Sequence, residues 1–317
     1  MSFQILFHLL GGILLLYAGA EFLVRGGAML ALRFGIAPLV VGLTILSFGT
    51  SAPELVVSLQ AAMGHDSAIA LGNVIGSNIA NLALVLGLAA VIRPLRVEQQ
   101  VIRQQMPILL IATLAIGVIL WDGKISRWEG GLLFAALFVY ILISIRRSRR
   151  QQHERRTPVD KLAQTKVHNA WLQVGMVLLG IGLLIPGAHW FLQGAVQAAT
   201  HLGMRPLVIG LTIVAIGTSM PEIATTVVAA LRGEGDLAVG NAVGSNVFNI
   251  FCILGVTALL FGIDGGGVNW IDLGVMLVTV IVCLPIMRSG FVISRFEGSL
   301  LLFGYVGYLA YLIHGHG

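Results

Sequence analysis

Charge is what this sequence has least of. Only 10% of its 317 residues are Asp, Glu, Lys or Arg, and 57% are hydrophobic; an ordinary soluble domain carries roughly a quarter charged residues. With a mean hydropathy of +0.94, the chain has too little polar surface to wrap a core in water, which excludes a large soluble helical domain. Cysteine is scarce as well. Cys252 and Cys283 both fall in apolar stretches and read as small packing residues, so neither a disulfide nor a cysteine metal centre is indicated. No basic patch is interleaved with aromatic residues, which removes nucleic acid as a partner. The one dense basic run holds Arg146, Arg147, Arg149, Arg150, Arg155, Arg156, Lys161 and Lys166. It abuts a long apolar stretch and reads as a cytoplasmic loop facing anionic lipid. No Lys or Arg precedes the first apolar run, and Arg25 follows it. The run ending in Ala18-Gly19-Ala20 is therefore read as a permanent span, not a secretory signal.

What is present is apolar length. A span needs about 20 mostly apolar residues, and ten segments qualify: 4–24, 37–62, 68–92, 106–121, 128–145, 171–192, 206–231, 236–262, 270–287 and 295–313. They fall into two copies. Gly49-Thr50-Ser51-Ala52-Pro53-Glu54 returns as Gly217-Thr218-Ser219-Met220-Pro221-Glu222, 168 positions later. The same offset carries Pro38 to Pro206, Gly42-Leu43-Thr44 to Gly210-Leu211-Thr212 and Gly72-Asn73 to Gly240-Asn241. It also carries Gly76-Ser77-Asn78 to Gly244-Ser245-Asn246, and Asn81 to Asn249. From Gly35 to Gly87, 24 of 53 positions are identical to their counterparts without a gap, so the halves are copies.

The predicted fold is all-α and integral to the membrane, with ten transmembrane helices in two five-helix repeats. Residues 1–145 form the first repeat, 146–168 a basic cytoplasmic linker and 169–317 the second repeat. Five spans per half is odd, so the second copy must be inverted. With 146–168 cytoplasmic, Arg25, Arg33, Arg93, Arg96, Arg103, Arg232, Arg288 and Arg295 also fall inside, and only Lys124, Arg127 and Arg205 fall outside. That satisfies the positive-inside rule and puts both termini outside the cytoplasm. Inverted repeats are a common plan of secondary transporters.

Two acids lie within these spans. A charge at the centre of a membrane helix costs roughly 2.5–3.5 kcal/mol on insertion scales, so Glu54 and Glu222 call for a reason. Each follows Gly-Thr-Ser-x-Pro, and a proline inside a helix removes a backbone bond and bends or unwinds it. Carbonyls freed there become ligands, in a place where irregular backbone is tolerated only beside a cavity or inside protein. Ser77 with Asn81, and Ser245 with Asn249, are four residues apart on one helix face and add oxygen donors. The set is all oxygen, which suits hard cations such as Ca²⁺ and Na⁺, and no paired His or Cys accompanies the acids as zinc or copper would want. Taken singly, each feature has a plainer reading: glycines for close packing, proline for a kink, asparagine to bridge helices. The repetition of the whole motif is what favours a binding site.

Other polar residues read structurally. Glu21 and its mirror position His189 suit helix ends, Glu129 and Glu297 pair with Arg127 and Arg295, and His314 and His316 lie in a terminal tail. Gly233-Glu234-Gly235-Asp236 matches the Gly-x-Gly-Asp of intramembrane aspartyl proteases, but Asp236 mirrors Ala68 and no second Asp sits in a neighbouring span.

The paired Gly-Thr-Ser-x-Pro-Glu and Gly-Asn-x-x-Gly-Ser-Asn segments resemble the α-repeats of the Na⁺/Ca²⁺ exchanger branch of the cation/Ca²⁺ exchanger superfamily, here in a bacterial form with two repeats. The resemblance implies an inner-membrane antiporter, not an enzyme, that needs no cofactor, transports Ca²⁺ and Na⁺, contacts membrane lipid and requires no obligate protein partner. It implies that Glu54 and Glu222, with the backbone oxygens of Thr50 and Thr218, hold Ca²⁺. Ser47, Thr50, Ser51 and Ser77 would line a Na⁺ site on one side, and Ala215, Thr218, Ser219 and Ser245 the one opposite, with Asn81 and Asn249 completing the centre. Many members carry Asp at one or both of these last two positions. Asn at both leaves two carboxylates, removes the basis for K⁺ co-transport and leaves Na⁺ and H⁺ open as counter-ions. A Ca²⁺/H⁺ antiporter is one alternative, a passive cation channel another, and a protease using Asp236 a third. The 146–168 loop is too short for the Ca²⁺-sensing domains of animal exchangers.

Overall fold

The computed structural model describes residues 3–64, 66–155, 170–202, 215–265 and 269–315. Apolar composition without long β-branched alternation gives helices nearly throughout. In chain order they are α1 (Phe3–Phe34), α2 (Pro38–Thr50), α3 (Ala52–Met63), α4 (Ser67–Ile92), α5 (Val101–Asp122) and α6 (Arg127–Arg155). There follow α7 (Ala170–His201), α8 (Ala215–Thr218), α9 (Met220–Arg232), α10 (Gly235–Phe261), α11 (Trp270–Arg288) and α12 (Arg295–Gly315). Among the described residues, eight helices are long and apolar enough to cross a membrane, and the bent pair α2 and α3 makes a ninth. Most of the predicted seventh span, 206–231, is seen as α8 and α9. Pro206, Gly210, Leu211 and Thr212, with Arg205, lie outside the described residues.

Burial separates core from rim. In the apolar windows of α4 and α10, 72% and 83% of residues are buried, against 39% or less in the other unbroken spans. The outer helices turn bare apolar side chains outward, among them Leu14, Val118 and Phe303. Bare apolar faces of that extent suit lipid.

Four two-residue strands tie the ends of the bundle: β1 (Leu95–Arg96) pairs antiparallel with β4 (Val292–Ile293), and β2 (Lys124–Ile125) with β3 (Ile263–Asp264). The 168-residue offset maps β1 onto β3 and β2 onto β4, so each sheet is the counterpart of the other. Helix α5, about 33 Å long at 1.5 Å per residue, runs between β1 and β2. The equivalent sheets therefore sit at opposite ends of the bundle. One end gathers arginine: Arg25 and Arg232 both pair with Glu21, Arg93 Nη1 reaches Leu231 O at 2.8 Å, and Arg295 Nη2 reaches Ile92 O at 3.5 Å. The other end carries Lys124, with Trp121, Trp128 and Trp270 exposed, as interfacial tryptophans are.

Two sequence expectations change, at Glu129 with Glu297 and at His314. Helix α6 runs on from the apolar zone to Arg155 without a breaker, and Ser148 is buried, its Oγ accepting Ala37 N at 2.7 Å. Residues 156–169 lie outside the described residues. Glu129 and Glu297 do not pair with neighbouring arginines: they close capping boxes. Glu129 Oε2 accepts from Ser126 N at 2.8 Å and Ser126 Oγ at 2.6 Å; Glu297 Oε2 accepts from Ser294 N at 2.8 Å and Ser294 Oγ at 2.7 Å. A short local loop to unpaired helix N–H groups outcompetes an exposed ion pair. His314 is no tail residue but part of α12, its Nδ1 2.8 Å from Ala310 O; His316 lies outside the described residues. Ser126→Ala and Ser294→Ala are each expected to lower stability by about 1 kcal/mol. Their effects should add, because the caps lie at opposite ends of the bundle; thermal unfolding of the single and double variants in detergent reads this directly.

Candidate functional site

Both acids sit where a helix restarts. Ser51 leaves helical geometry at φ −83, ψ 7, and Ser219 does the same at φ −85, ψ 9. Proline follows at the start of α3 and of α9, where a missing N–H is harmless. The break turns α3 by 47° from α2. Glu54 and Glu222 thereby fall in the first turns of α3 and α9, beside the electropositive helix ends that favour an anionic group.

The two carboxylates are essentially fully buried, at 1% and 0% exposure. Ser51 Oγ, from the first half, donates to Glu222 Oε1 at 2.9 Å. Glu54 Oε2 and Glu222 Oε2 have no hydrogen-bond partner among the described residues, and neither do Asn249 Oδ1 and Asn81 Oδ1. Buried polar atoms without partners are rare in folded proteins. Here four oxygens of this kind belong to residues of one constellation, the donor chemistry that a hard cation takes.

The remaining residues interleave between halves. Thr50 Oγ1 lies 3.4 Å from Ser245 Oγ and 3.3 Å from Asn241 Oδ1, so Ser245 stands against the first half's broken helix. Ser47 Oγ is 2.7 Å from Gly42 O and 3.1 Å from Asn241 O, tied to backbone. Ser77 is buried on α4, whose Ser67–Ala80 stretch packs on α8. Ser219 is buried at the break before α9.

Two features escaped sequence reasoning. Asn81 and Asn249 each open a π-helical turn, Asn81–Val85 and Asn249–Leu254. The widened turn shifts the following register, and such bulges recur at functional sites. The other asparagines of the motif also act: Asn73 Nδ2 donates to Glu54 O at 3.1 Å and Ser58 Oγ at 2.9 Å, and Asn241 Nδ2 to Thr226 Oγ1 at 3.0 Å. Asn78 accepts from the opposite half, its Oδ1 from Asn249 Nδ2 and its backbone O from Asn246 Nδ2, both at 3.0 Å. Identity between the two copies was the available signal for all four.

Glu21 belongs to the arginine end. Its carboxylate takes Arg25 at 2.5 Å and Arg232 Nε at 2.6 Å, while its mirror residue His189 sits 2.9 Å from Gln193 Nε2. Asp236 lies in the first turn of α10, nine residues or about 14 Å before Ser245. With Arg93 and Arg96 it lines a cavity of about 570 Å³ at the arginine end, apart from the two glutamates.

The family model described as sodium/calcium exchanger protein matches residues 5–146 and 172–314. The chain is 35% identical over 308 residues to putative antiporter CaxA of Alkalimonas amylolytica, covering 96% of each. It is 37% identical over 313 residues to inner membrane protein YrbG of Escherichia coli K12, covering 96% of this chain and 95% of the other. The solved structure of the sodium-calcium exchanger NCX_Mj superposes with a TM-score of 0.83 at 29% identity, covering 98% of this chain and 99% of that one.

Proposed function

This chain belongs to the sodium/calcium exchanger protein family as a multi-pass membrane cation/Ca²⁺ antiporter, and from that membership we propose that it exchanges Ca²⁺ for Na⁺, with Ca²⁺ held between Glu54 and Glu222. One observation supports the reading: two carboxylates, one from each half, are buried, each with an oxygen that no described group satisfies, and Ser51 beside the first half's break donates to the acid of the second. The relatives favour Na⁺ as counter-ion, since sodium/calcium exchanger MaX1 of Methanosarcina acetivorans is 29% identical over 96% of this chain.

The cycle follows from charge. Two ionised carboxylates in a low-dielectric interior repel and resist desolvation, so the empty site crosses poorly between faces. One Ca²⁺, or several Na⁺, relieves that charge, and either load lets the site change sides. Thr50 and Thr218 backbone oxygens complete the Ca²⁺ shell; Ser47, Ser51, Ser77, Ala215, Ser219 and Ser245 serve the Na⁺ positions, and Asn81 and Asn249 the centre. The ten-span plan in two inverted five-helix halves belongs to the same reading, with α8 and α9 in its seventh span. The arginine end faces the cytoplasm and both termini the opposite side. That orientation rests on the excess of arginine at one end of the bundle over Lys124 and Arg127 at the other.

Purified protein in liposomes tests the counter-ion. An outward Na⁺ gradient is expected to drive uptake of radiolabelled Ca²⁺, and collapsing it to stop uptake. Uptake driven by a pH gradient alone, indifferent to Na⁺, would replace this reading with Ca²⁺/H⁺ exchange. Flux without any counter-gradient would indicate a channel.

A further inference from the structure

A slot of about 730 Å³ opens between α11 and α12. Its floor is α4, at Ile79 and Ala83, and its walls include Gly274 and Val278 of α11 and Gly304 of α12. It runs along α11 from Ile271 to Ile286, a length of about 22 Å at 1.5 Å per residue. At the Trp270 end, Tyr308 Oη donates to Asp272 Oδ1 at 3.0 Å and bridges the two helices. At the other end the chain itself joins them through β4.

The first half holds the counterpart of this slot, and there it is smaller. The 168-residue offset maps Leu132, Leu133 and Ala136 onto Leu300, Leu301 and Gly304. The former three line a cavity of about 480 Å³ between α5 and α6, the latter three the larger one. Side chains account for the difference in part. Phe251 lines the smaller cavity at the position equivalent to Ala83, and Ala136 at the position equivalent to Gly304. Exchanging large for small in a packed core leaves a void and costs stability, unless something else fills the space.

The place of the slot decides what fills it. Val278, Val282 and Leu300 along its rim are bare, so it opens onto the same apolar surface that the outer helices turn to lipid. Thr279 Oγ1 within it is already bound to Val275 O at 2.7 Å, and the aliphatic walls offer water little to bond. Volume over length gives a mean cross-section of roughly 30 Å², against about 80 Å² for an α-helix 10 Å across. A helix of a partner or of a second copy does not enter such a space, whereas one hydrocarbon chain does. Asp272 stands at the mouth beside the exposed Trp270, the depth at which headgroups lie. A carboxylate there attracts an ammonium group and repels an anionic head.

We propose that the slot between α11 and α12 binds one phospholipid, its acyl chain lying along Ala83 and Gly274 and the primary amine of its headgroup meeting Asp272. The chain supplies the dispersion contacts that the small residues forgo, and the amine pairs with the carboxylate. This rests on the membrane-spanning fold and is independent of which counter-ion the protein uses.

Native mass spectrometry of the full-length protein tests it. The protein is purified in mild detergent and exposed to equimolar phosphatidylethanolamine and phosphatidylglycerol with matched chains. Wild type is expected to retain one lipid, mainly phosphatidylethanolamine. Gly274→Met is expected to lose it, because the flexible thioether side chain takes the place of the acyl chain. A Cβ at Gly274 meets no described atom within 4 Å, and methionine favours a helix over glycine, so the fold should stand. Asp272→Asn should keep a lipid but lose about fivefold in preference for the amine head, the upper range for a partly exposed ion pair. If Gly274→Met does not assemble, Ala83→Phe, which installs the residue of the other half, carries the same comparison. Equal retention by wild type and the filled variant marks an annular lipid and overturns the proposal. A preference for phosphatidylglycerol, or a lipid-free dimer, overturns it as well.

Discussion

Glu54→Gln should leave the protein folded and remove Na⁺-driven Ca²⁺ uptake. The amide keeps the shape of the side chain but removes one of the two buried carboxylates, one from each half. Carboxylate count tunes Ca²⁺ affinity in oxygen sites across several orders of magnitude, so a fall of about a hundredfold or more is expected. Glu222→Gln should behave alike, although its carboxylate also accepts Ser51 Oγ, and the double variant should be no worse than either single one, because one lost charge already disables the cage. Glu129→Gln is the control. It removes an acid of the same half, yet glutamine still closes a capping box, and uptake should persist. The measurement is initial Ca²⁺ uptake in everted vesicles at matched expression; normal uptake by Glu54→Gln would end the paired-carboxylate account.

Gly240→Val should abolish assembly. A Cβ at Gly240 would lie 2.6 Å from Leu39 O and 3.1 Å from Gly42 Cα; one at Gly42 would lie 2.8 Å from Leu237 O and 3.0 Å from Gly240 Cα. All of these neighbours are backbone, which cannot rotate aside as a side chain does. Overpacking at an ordinary core position costs about 1–3 kcal/mol. Here the two helices must also separate, which breaks the contacts of Ser47 with Asn241 and of Thr50 with Ser245. In lipid, helix association depends on close packing, with no hydrophobic drive to compensate. Gly117→Ala, where a Cβ meets no described atom within 4 Å, should be neutral. Recovery as a monodisperse species in mild detergent distinguishes them: near-complete loss for Gly240→Val, wild-type recovery for Gly117→Ala. Equal recovery of both would show that the crossing of α2 and α10 tolerates separation.

Much of this was legible before any coordinates. Apolar runs of membrane length marked the described helices, because a lipid solvent punishes any other backbone, although α1, α6 and α7 run about nine or ten residues past their apolar stretches. The repeated Pro-Glu motif marked both breaks and both acids, since proline limits a helix through its own covalent structure. Linear spacing could not say which groups meet across the bundle. Ser245 facing Thr50, Asn78 joining Asn249 and Glu21 catching Arg232 all join residues more than a hundred positions apart, and their partners follow from how the halves interlock. The π turns at Asn81 and Asn249 were equally hidden, since they arise from packing around α4 and α10 and carry no local sequence signal. The internal repeat makes the two halves equivalent on paper. Only the folded molecule breaks that equivalence, because Ser51 reaches Glu222 and Asn249 reaches Asn78 while the mirror-related bonds are not made among the described residues.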